Sequence, residues 1–345
     1  MKEMVLILNG NDFNSGHGGQ ASFIKNLHPY LNNVFELKYI VLPNFLIKQH
    51  FIPLRLLNLF QVLFFLLWGR KKFNLIISHS AEASFIASFF EKPFIHIFHG
   101  NNNSLTKSIF WYGKYFKWVY VYFDKRIIKR AAKLYTVGEF REGTEKFNNP
   151  IDIHLSKEII PEERKDFIFA GRLETTKNVD SIISIYNSLP DIYKTDNFLH
   201  IIGSGTQEIK LKKLVNKLKL KDKIIFHGQL TNEKAIEKIS RSSILLMASS
   251  HEGFPMVIAE SLTVGTPIIS TDVGDIRSIV KNGYNGFLLP LDYDIGSYVN
   301  KIIEILGEYQ NFSINAIKSS NVFNAKEIAS FFIADCKRII YDKTF

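Results

Sequence analysis

At 345 residues, 46% hydrophobic and 22% charged, the chain has the length of two domains and the balance of a folded protein, which excludes a disordered or low-complexity chain. Its single cysteine, Cys336, excludes an internal disulfide framework and an all-cysteine metal site, and fits a reducing, cytoplasmic setting. The formal charge of +10 is concentrated in residues 1–155, where 19 Lys/Arg face 10 Asp/Glu; an anionic partner of that half would be nucleic acid, anionic lipid or a phosphorylated acceptor.

In chain order, "MKEMVLILNG" has too short an apolar run for a signal peptide, with Glu3 before it, and predicts a first strand over 4–9. The glycine-rich "NSGHGGQASFIKNL" (14–27) follows, where Gly18 and Gly19 let backbone approach phosphates closely. It is neither a P-loop nor G-x-G-x-x-G. "FIPLRLLNLFQVLFFLLWG" (51–69) is nearly long enough to span a membrane, but Pro53, Arg55, Asn58 and Gln61 interrupt it, which favours a buried or membrane-leaning helix. Further strands are predicted over 37–43, 75–80 and 94–100, then, after a polar stretch near 153–166, over 166–171, 197–203, 223–228, 244–249 and 266–271. Short apolar strands alternating with helical segments give right-handed βαβ units and parallel sheets, in two series joined by a polar linker. The expected class is α/β, with two doubly wound domains facing each other. "NAKEIASFFIADCKRIIYD" (324–342) predicts a terminal helix with Asn324 as its cap.

Four stretches carry candidate chemistry. In "HEGFPMVIAESLTVGTPIIS" (251–270), Pro255 is expected at the first helical position, Glu252 in the loop before it and Glu260 one to two turns in. A helix N-terminus attracts phosphate oxygens, whereas carboxylates beside a diphosphate suit only uncharged hydroxyls. A ligand with both a diphosphate and vicinal diols, a sugar nucleotide, satisfies both; the plainer alternative is that the acids only favour a helix N-terminus. In "FAGRLETTKNVDSII" (169–183), Arg172 and Lys177 follow a strand and would neutralise a departing nucleoside diphosphate without Mg²⁺, or are simply solvated. "HIFHG" ends a strand on His99, suited to a substrate hydroxyl; His96, read as sharing its strand face, competes. "GSGTQE" (203–208) is an incomplete dinucleotide fingerprint.

Together these segments resemble the retaining glycosyltransferases of family 4, of GT-B architecture. The E-x7-E element is matched by Glu252 and Glu260, the G-R-L…K segment by "FAGRLETTKNVD", the N-terminal Gly-Gly loop by "HGGQASFIKNL" and the cleft histidine by "FHG". "NPID" (149–152) resembles the domain-joining turn and "NGYNGFLLP" (282–290) the late loop. The resemblance implies two facing Rossmann-like domains: 1–155 binding acceptor, 156–322 binding nucleotide sugar, and 323–345 a helix crossing back to the first domain. It assigns Gly18 and Gly19 to the diphosphate, Arg172 and Lys177 to its charge, Glu252 to the sugar hydroxyls, Glu260 to the ribose and His99 to the sugar near the reacting centre. Gly253, Phe254, Pro255 and Met256 would bring backbone N–H groups to sugar and phosphate. Two departures stand out: Asp275, Arg277 and Ser278 where a second glycine and Pro-Glu are common, and Gly138 where serine is common.

The implied function is transfer of a hexose or N-acetylhexosamine, with retention, from a nucleotide sugar, by family frequency UDP-linked, to a lipid-linked or oligosaccharide acceptor in surface polysaccharide synthesis. No metal and no cofactor are expected. Drawn as one helix, residues 107–133 place Trp111, Tyr115, Trp118, Tyr122, Lys125, Lys129 and Lys133 on one face, a surface suited to anionic headgroups. Peripheral docking on the inner face of the plasma membrane is the expectation; partly buried aromatics with solvated lysines are the plainer alternative. The competing functional class is a membrane-associated scaffold that binds sugar nucleotide without turnover. An NAD-linked enzyme is disfavoured by the missing third glycine, and nucleic-acid binding by the lack of any recognised motif.

Overall fold

Short runs led by apolar residues, such as Met4–Leu8, Leu75–Ser78 and Ile268–Thr271, form strands buried on both faces, as parallel sheets covered by helices require. The computed structural model describes residues 2–8, 19–40, 54–69, 73–99, 117–137, 141–151 and 164–342. Gly18, Trp111, Tyr115, Gly138 and most of the polar stretch after Ile151 lie outside them. The chain divides into two units, Met1–Pro150 with Ala325–Phe345, and Ile151–Asn324.

In unit 1 the described elements are β1 (Met4–Leu8), α1 (Gly19–Val34), β2 (Glu36–Ile40), α2 (Leu54–Gly69), β3 (Leu75–Ser78), α3 (Ala81–Ala87), β4 (Phe94–His99), α4 (Lys117–Arg130), β5 (Lys133–Val137) and β6 (Glu145–Lys146). They build a sheet of order β2-β1-β3-β4-β5-β6, with every pairing parallel. Period-two alternation sends Val5 and Ile7 into one core and Leu6 and Leu8 into the other. Phe23, Leu27 and Leu31 of α1 close the first core together with Phe332, Cys336 and Ile339 of the terminal helix, Ala325–Tyr341. That helix is fastened by Asp335, which accepts a hydrogen bond from the buried Tyr135 hydroxyl and another from Arg338 at 2.6 Å. The second core is covered by Val62 and Leu66 of α2, Ala83 and Ala87 of α3, and Phe123 and Ile127 of α4.

Unit 2 runs β7 (Phe167–Ala170), α5 (Val179–Asn187), α6 (Asp191–Lys194), β8 (Leu199–Ile202), α7 (Glu208–Lys217), β9 (Ile224–Gly228), α8 (Asn232–Arg241), β10 (Ile244–Leu246), α9 (Met256–Thr263), β11 (Ile268–Thr271), β12 (Gly286–Leu289), α10 (Ile295–Gly307) and α11 (Tyr309–Ser320); the terminal helix is α12. Its sheet order is β12-β11-β10-β7-β8-β9, again all parallel. Part of the late loop expected over 282–290 is therefore strand β12, and β5 is a further strand beyond those predicted.

The helix predicted over 107–133 ends at Arg130. Ala131 N–H closes the last turn on Ile127 O at 2.9 Å, and Ala132 N–H donates to Phe94 O at 2.9 Å, so pairing with β4 takes over the backbone. Lys133 is thus not on the helical face: it starts β5, where Glu145 and Asp335 hold its ammonium. Along α4, Phe123 and Ile127 are buried while Trp118, Tyr122, Lys125 and Lys129 are exposed. On α2, Phe60, Phe64, Leu67 and Trp68 are likewise exposed, Trp68 at 76%. No described helix is long and apolar enough to cross a membrane.

"GSGTQE" has a packing role. Gly203, at φ +128°, and Gly205 let the loop after β8 lie on the loop after β7: a Cβ on Gly203 would fall 1.8 Å from Gly171 O, and one on Gly205 2.4 Å from Leu173 O. Leu173 N–H donates to Ser204 O at 2.9 Å, and Thr206 is hydrogen-bonded to Glu174. Gly203→Ala is expected to destabilise unit 2 by about 1–3 kcal/mol, because both the positive φ and the clash with backbone oppose a side chain. Thermal unfolding of the variant, with Gly143→Ala as a control for positive φ in open space, checks this.

Candidate functional site

In an open parallel sheet, a ligand site forms at the carboxyl ends of the strands where the strand order reverses. In unit 2 that point lies between β7 and β10: the chain leaves β7 for β8 and β9 on one side and returns through β10 to β11 and β12 on the other. The loops after β7 and β10 therefore diverge from neighbouring strands, and they carry Arg172, Lys177, Glu252 and Gly253.

Directly after Glu174, a single 3-10 turn, Thr175–Lys177, ends in Asn178 at φ +47°, whose side-chain N–H donates to Ala248 O at 2.9 Å. Ser250 N–H donates to Thr176 O at 2.8 Å, so the turn is bolted to the loop after β10. This brings Lys177 Nζ 2.5 Å from Glu252 Oε1, with side chains only 17% and 7% exposed. Ser249 Oγ–H donates to the same oxygen at 2.6 Å, and Thr271 Oγ1–H fixes Ser249 through its carbonyl at 2.5 Å. Both contacts fall on Oε1, which leaves Glu252 Oε2 as an acceptor for a hydroxyl. Arg172 is exposed and its side chain has no hydrogen bond or ion pair among the described residues, so its guanidinium is available to an anion.

Pro255, expected as the first helical residue, is the N-cap of α9 with φ −76°, and Met256 is the first residue of the helix. Its fixed φ suits either position, one residue apart. Gly253 has open space around its Cβ position. Phe254 and Met256 are partly buried against the second core of unit 2. The loop carrying the departures from the family pattern packs here: Gly274, at φ +61°, would place a Cβ 2.3 Å from Glu252 O, and Asp275 N–H donates to Gly253 O at 3.3 Å. Arg277 is engaged by Asp272 through two hydrogen bonds, at 3.1 and 2.7 Å.

Glu260, on α9, is buried with no ion-pair partner among the described residues. Burial pushes its carboxyl up to about 7, opposed by a hydrogen bond from the Asn232 side chain. The two acids of the E-x7-E element thus occupy opposite environments, one paired with Lys177 and one held close to neutrality.

In unit 1 the order reverses between β1 and β3. Gly19 is the first residue of α1, behind the loop that follows β1. His79 follows β3 and His99 ends β4; their Nδ1 and Nε2 atoms are 2.9 Å apart, with Phe23 of α1 edge-on to both rings. His96 lies three residues before His99, hence on the opposite strand face, contrary to the sequence expectation. There it is buried and hydrogen-bonded with Ser84 Oγ at 2.6 Å, a satisfied core histidine. Burial depresses all three rings, His99 to about 4 and His96 to about 3, so each is a neutral imidazole at pH 7.

The structure brings Lys177, Glu252 and Gly253 together in unit 2, with Arg172 on the same β7 loop. His79 and Ser249 are partners that the sequence reading missed. His79 had a visible signal, its position just past the predicted strand "LIISHS"; Ser249 had none beyond its closeness to Glu252.

Two outcomes follow. Lys177→Met strands a buried carboxylate and should lower stability by about 3 kcal/mol, roughly 6–10 °C for a unit of this size, and Glu252→Gln added to it should restore at least half of that in thermal unfolding. For Glu260, a folded pKa above the unfolded value means that stability falls as pH rises through about 7. Glu260→Gln should therefore match the parent below about pH 4.5 and exceed it by on the order of 3 kcal/mol above pH 8, read from thermal unfolding across pH.

Residues 151–319 match the model of the glycosyl transferases group 1. A lipopolysaccharide 1,6-galactosyltransferase of Escherichia coli K12 is 33% identical over 147 residues, which is 41% of this chain and 40% of that protein. An N-acetyl-alpha-D-glucosaminyl L-malate synthase of Bacillus anthracis is 25% identical over 181 residues, 52% of this chain and 46% of that protein. The matched stretch thus spans less than half the length of these curated relatives. Among solved structures, a sucrose-phosphate synthase from Thermosynechococcus elongatus superposes with a TM-score of 0.76 at 16% identity, over 98% of this chain and 99% of that one. A lipopolysaccharide outer core galactosyltransferase in apo form gives 0.70 at 18% identity, over 99% of each chain. An Anabaena protein, HepE, in complex with UDP gives 0.70 at 16% identity, over 98% of this chain and 100% of that one. At such identities the structural likeness is one of fold, the GT-B fold. Residues 151–319, just under half of the chain, thus match the glycosyl transferases group 1, and the chain has the GT-B fold with its two six-stranded parallel sheets.

Proposed function

We propose that the chain transfers a hexose or N-acetylhexosamine from a UDP-sugar, with retention, to a lipid-linked or oligosaccharide acceptor in surface polysaccharide synthesis. The observation that carries this is the Lys177–Glu252 pair at the β7/β10 switch point, beside the exposed Arg172. A nucleoside diphosphate takes charge from Arg172 and Lys177, and the sugar's hydroxyls meet Glu252 Oε2. The near-neutral Glu260 accepts the ribose without repelling the phosphates. The backbone of Gly253–Met256 and the N-terminal dipole of α9 serve the sugar and phosphate, and Gly18 and Gly19 the diphosphate. His99 hydrogen-bonds the transferring sugar. Retention is by front-face displacement, with the leaving phosphate accepting the acceptor's proton, so catalysis is electrostatic and positional. The charge clamp makes the reaction independent of metal. The UDP bound in the Anabaena structure and the names of the lipopolysaccharide relatives support the donor and the pathway class.

The acceptor side is peripheral to a membrane, on its inner face. Trp118, Tyr122, Lys125 and Lys129 of α4 and the aromatic face of α2 cover one layer of the unit 1 sheet and are turned to solvent. Aromatic rings beside ammonium groups suit an anionic headgroup region.

Incubation with UDP-, GDP- and ADP-sugars and membranes, with and without EDTA, tests the reading: nucleotide is expected from one UDP-sugar, unaffected by chelator. Arg172→Ala or Lys177→Ala should lower kcat by on the order of 10²–10³. A change confined to KM would remove them from the clamp, and release from no donor would favour a binding scaffold. Co-sedimentation with vesicles containing anionic lipid should weaken when Lys125 and Lys129 are replaced; indifference to both lipid charge and substitution would refute the docking surface.

A further inference from the structure

We propose that His79 is a positioning residue for His99: it occupies His99 Nε2, so that His99 offers one nitrogen, Nδ1, to the substrate and in one tautomer. The proposal rests on the reading above in one respect only, that His99 meets the sugar.

The geometry leaves little freedom. His79 directly follows β3 at the β1/β3 switch point, and its backbone N–H donates to Leu8 O, the end of β1, at 3.0 Å. The imidazole centroids of His79 and His99 are 5.2 Å apart at an interplanar angle of 34°, and Phe23 meets both edge-on, at 5.7 and 5.4 Å. Turning either ring would open the 2.9 Å nitrogen–nitrogen contact and break the packing on Phe23.

The proton count does the rest. A neutral imidazole has one donor and one acceptor nitrogen. His79 is buried and His99 partly so, and desolvation holds both rings in the neutral form, so one proton lies between His79 Nδ1 and His99 Nε2. His99 Nε2 is thereby consumed, and its Nδ1 has no partner among the described residues. If His79 donates, His99 Nδ1 carries hydrogen and donates to a sugar oxygen; if His79 accepts, His99 Nδ1 accepts a hydroxyl proton. In either case the state of His99 Nδ1 is tied to that of His79, outside the ring that meets the ligand.

The test uses the full chain labelled with ¹⁵N-histidine, with His99 assigned by its loss in His99→Gln. Long-range ¹H–¹⁵N spectra should show His99 in a single neutral tautomer. His79→Leu should put His99 into exchange between tautomers, while His79→Asn, whose amide reaches the position of Nδ1, should keep one. With the donor identified above, His79→Leu should lower kcat by on the order of 10–100-fold with donor KM within about threefold, and His79→Asn should recover most of the loss. A His99 that exchanges in the parent, or that is unchanged in His79→Leu, overturns the proposal. The parent spectrum decides even if His79→Leu does not fold. If the parent turns over no donor, the catalytic reading fails, while the spectra still decide whether His79 sets the state of His99.

Discussion

Every strand pairing in both described sheets is parallel, and this constraint governs where chemistry can sit. Parallel strands send the loop after each strand to the same edge of the sheet, so residues far apart in sequence converge only there. Lys177 and Glu252 are 75 residues apart yet share a 2.5 Å contact, because β7 and β10 are neighbours and their following loops leave the sheet at one point. The His79–His99 contact has the same origin, with β3 beside β4. Glycines let these loops pack: Gly203 against Gly171 O, and Gly274 against Glu252 O.

The electrostatics of unit 2 follow from the same packing. Glu252 is buried beside an ammonium and a serine hydroxyl, whereas Glu260 is buried beside an amide, with no cation partner among the described residues, and burial pushes its carboxyl up to about 7. Two acids eight residues apart therefore have different chemistry, set by which loops reach them. A carboxyl near neutrality tolerates a neighbouring phosphate; a carboxylate already paired with lysine does so as well.

In unit 1 burial works on histidines. His79, His96 and His99 are kept neutral by loss of hydration, and their roles diverge by strand face: His96 turns into the core and is satisfied by Ser84, while His99 faces Phe23 and His79. The expectation that His96 and His99 share a face fails on parity, since three residues along a strand reverse the side. The longer helix drawn over 107–133 fails for a related reason: periodicity alone gives no stop signal at Arg130, and the strand that follows is selected by the carbonyl of Phe94, a residue distant in sequence.

The sequence by itself determined the class of fold and most of the order of strands and helices, because apolar periodicity and ordered motifs such as "FAGRLETTK" and "EGFPMVIAE" are local and survive without neighbours. It also determined which residues stand at strand ends, from Arg172 to Glu252. Tertiary structure decided the partners: that Lys177 is paired with Glu252 while the Arg172 side chain has no ion pair among the described residues, that Lys133 is tied to Glu145 and Asp335, that "GSGTQE" packs backbone on backbone, and that His79 meets His99. These depend on which strands lie side by side and how deeply each group is buried. Pairing and desolvation act across space between segments whose local patterns carry no record of each other.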